Sequence, residues 1–453
     1  METGTSSLSM NEWIDQRPLS TFQIGIVILC GVVLTLDGFD AQIMGFLAPS
    51  VSDALRIPVK TFGPIFSASL VGLMLAAMAS GPIADRWGRK WTVVVSTLTF
   101  AVFVLLSAYA KSFNQLLAWR FLTGLGLGGA MPNVVSLACE YSPRRLQRTL
   151  VAALFVGMPL GGFLCGSVTS AMLPRWGWRS MFYLGGILPL ALGLMLIVVL
   201  PESIRFLSAQ GADATRVSRI VRLISPELRE TGWQARITAE RREKGGSVRQ
   251  LFTEGRAGGT LLLWVPFFMN LLLLYFVISW LPALLRQAGL SVRAGVMATA
   301  LFSLGGIIGC VAEGPLIRAC GASAILVFEF GLCAAFIASL AFVRVSFQLI
   351  VPLTFILGFC VIGAQSGINA LAAIFYPTLI RSTGIGWALG IGRIGSIIGP
   401  LLAGAMLSFG WRPQQIFLAG AVPAICACVA VIASKQMAGR ANAYAAAADA
   451  GPD

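Results

Sequence analysis

Asp37 and Asp40 stand three residues apart in Leu36-Asp37-Gly38-Phe39-Asp40 and are the only charges between Thr21 and Val51. At ~1.5 Å rise per residue, a helix that starts near Phe22 carries Asp37 more than ~20 Å from its start, deep inside a bilayer core ~30 Å thick. An ionisable group at that depth is costly unless it is paired, hydrated or protonated, so two of them point to a function. Carboxylates at i and i+3 share a helix face, where they repel, and a proton bound to one relieves the repulsion. Such a pair is suited to take up a proton on one side of a membrane and release it on the other. Coupled acids titrate together, so spacing alone does not choose between Asp37 and Asp40.

Arginine is the natural counterpart for an anion that travels with the proton, because its planar fork matches a carboxylate in two hydrogen bonds. Arg393 lies ~15 Å into the apolar run that begins at Thr383 and is the first candidate for a substrate carboxylate. Arg120, about 10 Å into its own run at ~1.5 Å per residue, is the second, either as an anion ligand or as the partner of Asp37 or Asp40.

The elements that would position these side chains follow from composition. Hydrophobic residues make up 57% of the chain, charged residues 11%, and the mean hydropathy is +0.82. Those values place it in a membrane. Apolar runs of spanning length predict twelve helices, at 22–47, 62–84, 91–110, 114–138, 149–172, 178–200, 259–285, 294–316, 322–343, 347–371, 383–407 and 412–434. The fold class is therefore an all-α integral membrane protein, twelve transmembrane helices in two six-helix bundles. Its expected parts are an N-terminal segment 1–21, a first bundle 22–200, a linker 201–258, a second bundle 259–434 and a tail 435–453. The linker mixes 11 Arg or Lys residues with seven acids and is expected to be partly helical. Basic residues concentrate in the segments that lie inside if both termini are cytoplasmic, which sets that orientation. Met1–Ser20 has neither a basic n-region nor a small-residue cleavage site, so the first apolar run is expected to be a retained span.

Other classes lose support on the same grounds. The net charge of +14 is spread over short gaps between apolar runs and not on one face, which disfavours nucleic acid. Nine scattered cysteines, no Cys-x-x-Cys and no histidine disfavour disulfide scaffolds, zinc or haem sites and His-based catalysis. No metal, cofactor or enzymatic nucleophile is expected.

The two halves echo each other. Gly81-Pro82-Ile83-Ala84-Asp85-Arg86-Trp87-Gly88 returns in the second half as Gly314-Pro315-Leu316-Ile317-Arg318-Ala319-Cys320-Gly321. A second echo, after the fourth and tenth spans, joins Glu140-Tyr141-Ser142-Pro143 with Arg148 to Phe375-Tyr376-Pro377 with Arg381. Repeated six-span units suit a transporter whose site lies near the midplane.

On these residues the chain resembles the major facilitator superfamily over almost its whole length. Gly81 through Arg89-Lys90 matches the superfamily's signature loop, and Pro201-Glu202-Ser203 resembles an element that sugar porters and their relatives carry after span six. Asp37-Gly38-Phe39-Asp40, the stretch from Arg120 to Asn133, and Arg381 through Arg393 are similar to the aromatic acid:proton symporters within it. The resemblance implies proton-coupled uptake of a benzoate-, hydroxybenzoate- or phenylpropanoate-like acid across a bacterial inner membrane. It leaves open another major facilitator activity, on an aliphatic acid or a sugar or by exchange, and a monomer is expected.

Under that reading the ring would meet aromatic and amide side chains, with Phe39, Gln42, Asn133, Asn270, Tyr275, Gln365 and Asn369 as cavity candidates. Asp85, Arg86, Arg89 and Lys90 would form a cytoplasmic gate, with Glu140, Arg148 and Arg381 as pairing partners. In the second copy Arg318-Ala319 replaces the expected Asp-Arg, so Glu313 or Glu329 would have to supply the acid. Glycines at 124, 126, 128, 129, 157, 161, 162, 395, 399 and 404 are expected to serve helix packing.

Overall fold

The computed structural model describes residues 14–15, 17–209, 220, 222–224, 248–253, 256–342, 347–377 and 380–449. Most of the expected N-terminal segment and linker, and the end of the tail, lie outside the described residues. Lipid offers no partners to backbone N–H and C=O groups, so an apolar chain closes them within helices. The helices are α1 (Thr21–Leu55), α2 (Gly63–Trp87), α3 (Arg89–Ser107), α4 (Phe113–Glu140), α5 (Arg144–Val199), α6 (Ile204–Ala209), α7 (Ala257–Gln287), α8 (Val292–Cys320), α9 (Ala322–Phe342), α10 (Phe347–Phe375), α11 (Arg381–Ser408) and α12 (Pro413–Asp449). Among the described residues, 11 helices are long and apolar enough to cross a membrane, and α5, at 56 residues, holds two of the expected spans. Its two parts meet at Gly177, whose φ of 71° and ψ of 176° interrupt the helix. The first helix also runs to Leu55, beyond the end expected from sequence, carrying Pro49 within it.

The repeat has a backbone cause. Gly88 (φ 95°) separates α2 from α3 and Gly321 (φ 83°) separates α8 from α9. Both are left-handed, a conformation that side chains with a Cβ resist, so the glycine that ends each copy of the signature loop is required by the same turn. The structure adds an echo that the sequence reading missed. Gly177-Trp178-Arg179 and Gly410-Trp411-Arg412, at the same offset as the two loops, place glycines at φ 71° and 80° between consecutive spans.

By contacts, the chain divides into two compact units. One comprises residues 1–40, 71–161 and 179–243, the other 41–70, 162–178 and 244–453. The first is centred on Val33, Leu34, Val94, Val134, Leu137 and Tyr141, the second on Phe267, Phe330, Ile368, Tyr376 and Ala388. Within the second unit the terminal part of α1 and the start of α2 join the later helices. Ser67 donates to the Ile397 carbonyl at 2.7 Å, the Trp280 indole to Pro400 at 2.9 Å, and Arg286 pairs with Asp53 at 2.9 Å.

Glycines set how closely these helices approach. A Cβ at Gly358 of α10 would lie 1.8 Å from the Phe302 carbonyl oxygen of α8, and one at Gly305 of α8 would lie 1.9 Å from that of Phe355. The same close approach occurs at Gly161 against Thr35, in the first unit. Because the obstacle is backbone, the Gly358→Val variant is expected to lose about 1–3 kcal/mol through forced overpacking. A lowered thermal midpoint of the detergent-purified protein checks this, and an unchanged midpoint contradicts it.

Candidate functional site: a buried acid and arginine centre

In the first unit, α1 and α4 bring together residues far apart in the chain. Arg120 donates from Nη1 to Asp40 Oδ1 at 2.8 Å and from Nη2 to Oδ2 at 2.9 Å, a fork-on-fork pair in which the two side chains are only 2% and 1% exposed. Asp37, one turn earlier on α1, is 2% exposed. Both acids and the guanidinium thus lie well inside the protein, close to the middle of a 35-residue helix. The glycine between the acids has a local reason: a Cβ at Gly38 would stand 2.0 Å from the Met158 carbonyl oxygen of α5. Of the two sequence readings for Arg120, the structure displays the one in which it is partner to an aspartate.

The expected gate residues of the first half, 85–90 with Glu140 and Arg148, also fall in this unit, whereas Arg381 belongs to the second. The Arg89 guanidinium pairs with Glu140 at the end of α4, and Ser203 donates to the other oxygen of Glu140 at 2.5 Å. Glu202 accepts from the backbone N–H groups of Arg89 and Lys90 at 2.9 and 3.0 Å. The carboxylate therefore caps the start of α3, where the helix dipole favours an anion. That cap was not legible from Pro201-Glu202-Ser203 alone; a Cβ at Gly88 would collide with the same carboxylate at 2.2 Å, giving that glycine a second reason. Tyr141 donates to the Glu202 carbonyl at 2.7 Å. Burial, then the charges of Glu140 and Glu202, push its phenol well above the usual range, so it remains a donor. Asp85 and Arg86 are both exposed, while Lys90 lies 5.9 Å from the Trp91 ring centre. The Arg148 side chain lies outside the described residues.

The first unit also holds Phe39, buried at 5% exposure, and Asn133, whose amide donates back to Gly129 of its own helix at 2.8 Å. In the second unit, Gln42 accepts from Ser303 of α8 at 3.0 Å, and the missing side chain of Gly162 makes room for it. Asn270 of α7 is fully buried and donates to the Val361 carbonyl and to Gln365 of α10, at 3.1 and 3.0 Å. Tyr275 is buried, while Gln365 and Asn369 are half-buried on one face of α10. Arg393 is half-buried on α11, and Arg381 at the start of that helix donates to the Tyr376 carbonyl at 3.2 Å. Glu313 and Glu329, offered from sequence as the acid for the second gate loop, are each 1% exposed and so lie inside the helix packing.

The centre is two acids and an arginine inside membrane-length helices, built from a duplicated six-span pattern. A family model described as "Major Facilitator Superfamily" matches residues 30–388. The chain belongs to the major facilitator superfamily. It is a multi-pass membrane transporter and not an enzyme. Its fold resembles that of solved transporters: the xylose transporter XylE from E. coli shares 15% identity with a TM-score of 0.69, over 90% of this chain and 98% of that one. At that identity the likeness concerns the fold alone. Among curated proteins, the chain is 39% identical to the 4-hydroxybenzoate transporter PcaK of Pseudomonas putida, over 94% of this chain and 95% of the relative. It is 37% identical to the gallate transporter of Pseudomonas putida, again over 94% of this chain and 95% of the relative.

Proposed function

We propose that this superfamily member carries an aromatic carboxylic acid, of the hydroxybenzoate type, into bacteria together with protons. The observation that carries the proposal is the coincidence of near-full-length similarity to transporters named for 4-hydroxybenzoate and gallate with the buried Asp37, Asp40 and Arg120 centre. An intramembrane acid is a functional group by default, and proton exchange is the chemistry it supplies without a cofactor. Asp40 is held in the fork of Arg120, and Asp37, one turn earlier on the same helix, is assigned the proton. Arg393, on the other half of the duplicated fold, is assigned the substrate carboxylate.

Transport would proceed by alternating access of two bundles, 22–200 and 259–434, with both termini in the cytoplasm of the inner membrane and the monomer as the working unit. The network of Arg89, Glu140, Glu202 and Ser203 would then lie on the cytoplasmic side, where making and breaking such contacts biases a two-state transporter.

Proteoliposomes containing the purified chain test the reading. Labelled 4-hydroxybenzoate is expected to accumulate when the outside is made acid, and a protonophore is expected to abolish the accumulation. Accumulation that persists with the proton gradient collapsed overturns proton coupling, and absence of uptake across a panel of hydroxybenzoates and phenylpropanoates overturns the substrate class.

A further inference from the structure

Two buried acids in the second unit have no part in the centre described above. Glu313 on α8 and Glu329 on α9 are each eight residues from Gly321, the turn between those antiparallel helices. Equal separation from the turn puts both at one depth, ~12 Å along the helices from it. Both carboxyl groups lie against one face of α10, Glu313 at Gly367 and Glu329 at Gly363, one turn apart, and each is close enough to act on the other. Each residue is 1% exposed, and no N–H or O–H donor from elsewhere among the described residues reaches any of the four oxygens. No lysine or arginine pairs with either acid among the described residues.

Packing does not account for them. The offset between the two copies of the repeat makes Ser80 the counterpart of Glu313 and Ser96 the counterpart of Glu329. In the first copy the same turn is built with small hydroxyl residues, and Ser80 satisfies itself on the Ala77 carbonyl at 2.9 Å. The second copy instead places acids there and hollows the facing helix to hold them. A Cβ at Gly367 of α10 would lie 2.2 Å from Glu313 Oε1, and one at Gly363 would lie 3.3 Å from Glu329 Oε1. The titratable neighbours from all three helices are the thiols of Cys310 on α8, Cys333 on α9 and Cys360 on α10. None of these supplies a positive charge. Two carboxylates side by side in such surroundings would repel with nothing to offset the cost, whereas one proton between them turns repulsion into a hydrogen bond.

We infer that Glu313 and Glu329 form a second proton-binding site of this transporter, a carboxyl pair in the C-terminal half that exchanges its proton with water on the side of the α8–α9 turn. The inference rests on the proton coupling proposed above. The pair holds one proton between its two carboxyl groups and takes up a second from water, so its charge alternates between minus one and zero with no other reactant.

Two readouts test the site in the full-length protein reconstituted in lipid. Infrared spectra in H2O and D2O are expected to show the C=O band of a protonated, exchangeable carboxyl group at neutral pH. It should persist in Asp37→Asn and be lost in Glu313→Gln/Glu329→Gln. A band unchanged in the double variant overturns the site. In proteoliposomes, the Glu329→Gln variant, whose amide keeps the packing and can still donate to Glu313, is expected to lose acid-driven accumulation to the protonophore level. Its thermal midpoint should be retained, and the counterpart Ser80→Ala should accumulate normally. Full accumulation by Glu329→Gln overturns the inference, as does sodium-stimulated uptake that the substitution removes, which would make the pair a cation site. If the unmodified protein accumulates substrate despite a protonophore, the coupling proposal fails, while the infrared band still decides whether the pair holds a proton.

Discussion

The Asp40→Ala variant is expected to lose both thermal stability and transport, the stability loss being about 3–5 kcal/mol, as found when one partner of a buried ion pair is removed. The magnitude follows from what remains. Arg120 is 2% exposed, and both of its terminal nitrogens bond to Asp40 in the intact protein. Without that carboxylate a buried guanidinium loses its forked partner inside membrane-length helices. Removing both partners, as in Asp40→Ala/Arg120→Leu, is expected to recover much of the thermal midpoint, because two apolar side chains leave no broken pair behind. It should not recover uptake if the pair is part of the transport centre. Thermal unfolding in detergent and uptake in proteoliposomes separate the two effects. A single variant that melts at the normal temperature would show that the charge is dispensable for the fold.

How far the sequence carried this site depends on which interactions are local. The spans were legible because a bilayer demands long apolar helices, and the repeat was legible because left-handed turns at Gly88 and Gly321 demand glycine. The boundary between the fifth and sixth spans was legible only as a gap in hydropathy, since α5 continues to Gly177 and resumes at once. The choice of Asp40 over Asp37 as the partner of Arg120 was not legible. It depends on how α1 and α4 pack across a long stretch of sequence, which spacing on α1 does not report. The Glu202 cap was hidden for the same reason, being remote in the chain from the Arg89 amide whose hydrogen bond it accepts. Glu313 and Glu329 could have been noticed by counting equal steps from Gly321. Offering them as the acid of the second gate loop overlooked that eight residues of helix carry a side chain well below a turn.

The Asp37→Asn variant is expected to abolish accumulation while leaving the protein folded. Asparagine has nearly the shape of aspartate, so the contact of α1 with α5 at Gly38 and Met158 is preserved, and Asp40 and Arg120 keep their pair. What is removed is the ability to gain and lose a proton. A carrier so altered can still equilibrate its substrate but cannot use a proton gradient to concentrate it, so the ratio of inside to outside substrate should fall to one. In the unmodified protein the ratio should rise as the outside is acidified, because each proton entering down its gradient draws the acid with it. In Asp37→Asn it should stay flat across the same pH series. Measuring labelled 4-hydroxybenzoate at steady state over that series, in vesicles of fixed internal pH, gives the answer. A variant that accumulates normally and keeps the pH slope would move the coupling proton away from Asp37, leaving Asp40 or the Glu313 and Glu329 pair to carry it.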